Sequence, residues 1–368
     1  MKIARAFCLV ILLLLAAFTT AAGAQPPGAT WTFAVSGDSR DCGDFVVPAI
    51  AAKVKAEGDR FYWHLGDFRN IQKQDQDLVS MHSGTPLSLK EYQAIAWDDF
   101  LKHQIASFDD LPVYLGRGNH EAIAPMTREG YIAKFSSFLD RPDIAAQRKI
   151  DEEAETKVNA NYDGRAQFGT QPWYHFIRDG VDFISLDNGD YNEFSVGQLR
   201  WLRTVLNLDL APNSGVRTIV VGMHEALPNS TSVEHGMNDW AQGTQTGETV
   251  YTWLYDANAA GKRVYVIASH SHYYSPNIFQ TYYWFEYYSM TMLPGWIIGS
   301  AGAHRYALPQ GADKDSKTNI YGYLEGTVHE DGVVDLALHE VSENDMIQSK
   351  WPDAPLAAIK DCVDDNRN

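Results

Sequence analysis

Cysteine is scarce in this chain. Three of its 368 residues are Cys, and Cys8 lies inside an apolar run near the start. Only Cys42 and Cys362 remain, too few to build a thiolate metal site, which disfavours a structural zinc. In an oxidising compartment these two would form one disulfide between the C-terminal tail and the loop after the first strand; their spacing alone leaves two separate thiols equally open. Cations are scarce as well, with 30 Lys and Arg against 47 Asp and Glu. A surface that acidic repels phosphate backbones and excludes nucleic acid as the main partner. No internal repeat or low-complexity stretch occurs. The apolar run from Phe7 to Phe18 is too short to span a bilayer comfortably, so no stable membrane insertion is expected.

What that run does offer is an export signal. Lys2 and Arg5 precede it, and Ala22-Gly23-Ala24 supplies a small-x-small cleavage pattern before Gln25. Residues 1–24 therefore read as a signal peptide, and the mature protein is expected to be secreted or periplasmic. Residues 25–345 read as one domain with insertions near 70–90, 122–172 and 273–292. Residues 346–368 read as a C-terminal tail.

The chain is organised around strand ends. Five apolar runs of strand character each stop at metal-capable side chains: Thr32–Ser36 delivers Gly37-Asp38, Phe61–Leu65 delivers Gly66-Asp67, and Leu111–Leu115 delivers Gly118-Asn119-His120-Glu121. Thr218–Met223 delivers His224, and Arg263–Ser269 delivers His270-Ser271-His272. Open α/β sheets bind ligands at the carboxyl ends of their strands, so five such endings point to one site.

Between these blocks, Phe45–Lys55, Glu91–Phe108, Gln198–Leu206 and Glu248–Asn258 have helical spacing. Residues 69–88 and 126–172 are polar and irregular, with helix expected only near Tyr131–Leu139. Trp173–Ile177 and Val181–Leu186 flank Arg178-Asp179-Gly180 as a hairpin. The aromatic stretch Tyr273–Tyr288 reads as a second hairpin, because aromatic side chains suit strands; an aromatic wall beside the site is the other reading. Trp296–Ile298, Tyr321–Val328 and Val333–Leu338 read as late strands. Strands alternating with helices first and accumulating later predict an α/β fold of two mixed sheets packed as a sandwich with helices outside.

Carboxylate oxygens, an amide carbonyl and imidazole nitrogens suit Zn, Mn or Fe. The ordered blocks Gly37-Asp38, Gly66-Asp67, Gly118-Asn119-His120-Glu121, His224 and His270-Ser271-His272 resemble the calcineurin-like metallophosphoesterases, a family that includes purple acid phosphatases. Gln198-Leu199-Arg200-Trp201-Leu202 is similar to that family's Gln-x-x-Trp-Leu helix, and Gly299-Ser300-Ala301-Gly302 to its late Gly-rich strand end. The resemblance spans about Phe33 to Gly302. It implies two divalent or trivalent ions (Fe, Mn or Zn), one held by Asn119, His224, His270 and a bridging Asp67, the other by Asp38, Asp67 and His272. It further implies a hydroxide between the ions that attacks phosphorus, with His120 protonating the leaving oxygen, and a small-molecule or peptide-borne phosphate ester as substrate.

The sequence departs from the family at one metal. Many members read Asp-x-His in the first block, where this chain has Arg40; purple acid phosphatases place a Tyr three residues after the bridging Asp, where this chain has Asn70. Arg40 is open between gripping a substrate phosphate through its planar fork and pairing with Asp41, Asp44 or another acidic neighbour. A second hypothesis follows from the same departure: a non-catalytic exported binding protein with a degraded first metal site. Metal-assisted hydrolysis of a non-phosphate ester or amide is a third. Of the other candidates, His64 is expected in the core, Glu121 either orients a histidine or sits in a turn, and His304 is open between pocket and surface. His103, His175, His235 and His329 carry no partner pattern.

Overall fold

The computed structural model describes residues 29–81, 87–158, 169–288 and 291–367. The expected signal peptide and the Ser83–Pro86 loop lie outside them. Among the described residues eleven strands follow in order: β1 (Trp31–Ser36), β2 (Tyr62–His64), β3 (Val113–Leu115), β4 (Tyr174–Arg178), β5 (Val181–Ser185), β6 (Thr218–Met223), β7 (Arg263–Ala268), β8 (Tyr274–Pro276), β9 (Gly295–Ile298), β10 (Tyr321–Val328) and β11 (Val334–Val341). One sheet runs β11-β10-β1-β2-β3 and the other β4-β5-β6-β7-β9-β8. Parallel pairing joins β1 to β2 to β3, and β5 to β6 to β7 to β9, so the strands that deliver the polar blocks all point the same way within their sheets. The two-sheet α/β sandwich expected from the strand order is what forms.

The sheets meet over aromatic side chains. Phe33 and Phe61 of the first sheet stack at 5.3 Å, and Phe183 of the second meets both edge-on at 5.0 Å. Such pairs add about 0.5–1.5 kcal/mol each beyond the area they bury. Helix Gly43–Glu57 lies against β10 and β11, while helices Val196–Leu210 and Ala241–Ala259 share an apolar cluster with β6 and β7. Strands covered on both faces need apolar residues at every position, which explains the continuous runs seen in β6 and β7.

Several expectations change. The aromatic stretch is not a hairpin: after β8 it forms helix Tyr282–Tyr288, whose Trp284 stacks on Tyr251 at 3.7 Å. Aromatic preference for strands yields here to packing against a neighbouring helix. The second insertion is far less irregular than its polarity suggests, because helix Pro142–Val158 sends Asp151 to the buried His175 and Trp201, and Glu155 to Arg200. Helix Ala241–Ala259 starts earlier than its apolar spacing indicates. Glu91–Phe108 divides into an α-helix Leu89–Asp99 with a boxed Ser88 cap, then a π-turn and a 3₁₀ turn. The C-terminal segment carries helices Glu343–Ser349 and Leu356–Asp365, with Ile359 fully buried, and Cys362 is bonded to Cys42. A bond closing so long a loop restricts the unfolded chain by about 2–5 kcal/mol.

Candidate metal centre

The polar blocks meet where the parallel strands of the two sheets end. Asp38, Asp67 and His270 all adopt left-handed backbone, with φ of 59°, 59° and 62°. That conformation costs a non-glycine residue about 1–3 kcal/mol and persists where the surroundings impose it, as at ligand sites. The glycines beside them allow close approach. A Cβ on Gly118 would lie 2.3 Å from Asp67 Oδ1, and one on Gly66, where φ is +105°, would lie 2.3 Å from the Gly118 nitrogen.

Asp38, Asp67, His224 and His270 each present a ligand atom within 4.8 Å of the others. The side-chain amide of Asn119 aims one atom at His224 Nε2 (3.0 Å), His270 Nδ1 (3.2 Å) and both oxygens of Asp67 (3.2 and 3.3 Å). As a carbonyl oxygen that atom faces the lone pairs of His270 and Asp67; as an amide nitrogen it donates to them. A set of converging lone pairs is the environment a cation resolves, letting the carbonyl oxygen point inward. The donor types also match a hard or borderline ion.

The ring orientations are fixed from behind. His224 Nδ1 meets the Leu65 carbonyl and Ser269 Oγ, both at 3.1 Å, leaving Nε2 3.2 Å from Asp67 Oδ1. His272 Nδ1 bonds the His304 carbonyl, which turns Nε2 toward Asp38 Oδ1 at 3.3 Å. Outer hydrogen bonds of this kind set the tautomer of ligand histidines. Asp38 Oδ2 accepts the His270 amide at 2.7 Å, while its Oδ1 is buried without a hydrogen-bond partner. Glu121 lies in the turn that the Ala122 N–H closes on the Asn119 carbonyl at 3.1 Å, yet it does more than fill that turn. Its carboxylate accepts the backbone N–H groups of Asp67, Phe68 and Gly118, clamping two strand-end loops together.

Protonation follows from this geometry. Burial favours the neutral form of Asp38, but His272 and His224 outweigh it and hold the carboxyl at about 2. Asp67, buried as deeply, is held well below its ordinary value by His224 and His120. Burial pushes His270 down to about 3 and lowers His272 too, so both offer lone pairs. His224 is pushed up to about 10 despite burial, because the Asp67 carboxylate faces it.

The remaining candidates divide. His120 Nδ1 lies against the Asn70 carbonyl and its Nε2 is 3.7 Å from Asp67 Oδ2. Asn70 does not turn its side chain inward; its Oδ1 accepts from the Lys73 amide at 3.3 Å. Arg40 pairs with neither Asp41 nor Asp44. Its Nη2 lies 3.0 Å from His272 Nε2 and 3.3 Å from Tyr306 Oη, and its Nε 3.8 Å from Asp67 Oδ2. His64 is wholly buried, as expected, and its Nε2 lies 2.9 Å from Ser39 Oγ.

Two residues at the site went unrecognised in the sequence. Tyr306 stacks on His272 at 3.9 Å, and His235 stacks on Tyr306 at 4.7 Å with its ring 5.5 Å from that of His270. Both come from loops with no periodic signal. With Tyr273 and His304 they line a cleft of 760 Å³ beside the centre. Gln198, from the Gln-x-x-Trp-Leu block, exchanges two 2.7 Å hydrogen bonds with the Asp187 backbone, holding the loop after β5.

No family model and no curated protein sequence matches the chain. Among solved structures it superposes on a purple acid phosphatase from yellow lupin (Lupinus luteus) seeds with a TM-score of 0.52 and 12% identity, over 88% of this chain and 57% of that one. The chain thus spans little more than half of that protein's length. PhoD matches with a TM-score of 0.49 and 14% identity over 86% of this chain and 73% of that chain. A dimetal phosphatase from Danio rerio matches at 0.46 and 13% over 85% and 99%. The likeness to the lupin protein establishes the calcineurin-like metallophosphoesterase fold, and at that identity it speaks for the fold alone.

Proposed function

We propose that this chain, which has the calcineurin-like metallophosphoesterase fold, is an exported metal-dependent hydrolase of phosphoric esters. The observation that carries the reading is the convergence of Asp38, Asp67, Asn119, His224, His270 and His272 on one centre with His120 at its edge. Asp67, Asn119, His224 and His270 would hold a metal ion. Bound there, an ion acts as a Lewis acid toward a phosphoryl oxygen and makes water a stronger acid.

The chain's own residues supply the rest. The Leu65 and His304 carbonyls keep Nε2 of His224 and His272 directed inward. The Asn70 carbonyl engages Nδ1 of His120, so Nε2 is the nitrogen free to hold a proton at the leaving oxygen. Proton donation from a positioned His contributes about 10²- to 10⁴-fold. The cleft beside Tyr306 and His235 offers room for the organic part of a small-molecule or peptide-borne ester. Export is part of the same reading, and the Cys42–Cys362 bond supports it, since disulfides persist in oxidising compartments.

The test is hydrolysis of aryl phosphate mono- and diesters by chelator-stripped protein, with Mn, Zn or Fe restored, for wild type and Asn119→Ala. Turnover that requires an ion and collapses in the variant supports the reading. A folded protein with no turnover under any of these ions would replace it with a non-catalytic binding protein.

A further inference from the structure

The centre has two unequal halves. Around Asn119 the facing atoms are all of a kind that can ligate an ion. Around His272 they are not. His272 Nδ1 is bonded to the His304 carbonyl, so its one inward nitrogen is Nε2, and that nitrogen lies 3.0 Å from Arg40 Nη2. A guanidinium has no lone pair to offer, so the contact is Arg40 donating and His272 accepting. An imidazole nitrogen that accepts this hydrogen bond cannot give the same lone pair to a metal ion. Arg40 Nε, buried and without a hydrogen-bond partner, approaches Asp67 Oδ2 at 3.8 Å on the same side. Two of the three donors expected for a first ion, His272 and Asp67, therefore already face a cation, and one that keeps its charge at any working pH.

We infer that the Arg40 guanidinium stands in the place of the first cation, and that the protein carries a single metal ion, held by Asp67, Asn119, His224 and His270. The inference rests on the metallophosphoesterase reading and narrows it from a two-ion centre to one ion beside a fixed organic cation. Three observations bear on it together. Tyr306 stacks on His272 and accepts from Arg40 at 3.3 Å, so the guanidinium is held from a second direction. The Arg40 side chain is only 13% exposed, which leaves it little room to swing away. Asn70, the other position from which a ligand to this half was expected, turns its side chain to the Lys73 amide instead.

Metal stoichiometry tests this without reference to turnover. The full mature chain, stripped with chelator and equilibrated with Mn(II), is analysed for metal per folded chain and by electron paramagnetic resonance. Wild type should hold one ion with an isolated-ion signal. Arg40→His, which removes the cation and restores an imidazole at that position, should hold two with an exchange-coupled signal. Arg40→Met guards against a folding failure of the first variant, because removing the cation alone should tighten a second Mn(II) at least tenfold in calorimetric titration.

Two coupled ions in the wild type, or second-ion binding unaltered in both variants, overturns the inference and leaves the phosphoesterase reading standing. No Mn(II) bound by folded wild type overturns both.

Discussion

The segment from Asp38 to Asp44 has one end in each of two buried acidic clusters, and the clusters solve the same electrostatic problem differently. At the Asp44 end, Arg69 is fully buried among Asp44, Asp75, Asp77 and Asp99, with Nη1 3.0 Å from Asp77. Burying carboxylates is costly unless charge and hydrogen bonds compensate it; there one guanidinium reaches all four, and burial pushes Asp75 and Asp77 up toward their neutral forms. At the Asp38 end, the carboxylates of Asp38 and Asp67 meet histidines that burial drives toward neutrality, an amide, and Arg40 at the margin. The first cluster meets its acids with a cation of its own, although Asp44 Oδ2 and Arg69 Nε stay buried without a hydrogen-bond partner. The second aims one atom of the Asn119 amide at His270 Nδ1 and both oxygens of Asp67, the pattern of a site that expects a partner from solution.

That contrast breaks down if the two regions answer mutation alike. The largest expected effect is on the Asp38 side: His120→Gln should lower kcat on aryl phosphates by about 10²- to 10⁴-fold, with metal content and melting temperature unchanged. A loss of stability instead would make His120 a structural residue. On the Asp44 side the signs reverse. Arg69→Met strips four buried carboxylates of their cation and should cost about 3–5 kcal/mol in urea unfolding, with Mn(II) binding to the remaining folded protein intact. An Arg69 variant of normal stability that loses its metal would show the clusters to be one network.

A smaller effect is expected where one cluster leans on its backbone. Glu121 accepts three backbone N–H groups around Asp67 and Gly118, and burial beside Asp67 pushes its carboxyl up to about 7. Glu121→Gln trades one of those acceptors for a donor and should weaken Mn(II) binding by about 10- to 100-fold, as partners behind metal ligands typically do. Titration calorimetry at fixed pH reads this directly, and unaltered affinity would reduce Glu121 to a fold residue.

The two clusters were not equally legible in the sequence. Asp38, Asp67, Asn119, His224, His270 and His272 could be read because each follows an apolar strand run, and strand period plus a glycine stop leaves a visible mark. Their convergence then followed from parallel topology. Arg69, Asp75 and Asp77 left no such mark, because they lie in a polar stretch whose partners are dispersed over helices and turns. Arg40 was visible as a departure, but its contact with His272 joins residues 232 positions apart and belongs to the tertiary fold. Tyr306 and His235 sit on loops, where no periodicity exists to read. The aromatic run after His272 misled for a different reason: strand preference and helix packing both use large rings, and only the neighbouring Tyr251 decides between them.

The finest test of the contrast is a pH profile. His103 reaches into the Arg69 cluster, with Nδ1 3.6 Å from Asp44 and 2.8 Å from Asp99, and its ring 5.7 Å from Trp351. The Asp44 and Asp99 carboxylates raise it from the ordinary 6.5 to about 9, even though Arg69 faces the same carboxylates. The folded state therefore binds this proton more tightly than the unfolded chain does. The resulting stabilisation is present in full below about pH 6.5 and is lost as pH rises through about 9. His103→Gln should accordingly flatten the fall of melting temperature across that window and leave the profile above it unchanged. If wild type and variant fall in parallel instead, the Arg69 cluster takes no charge from His103, which merely lies beside it.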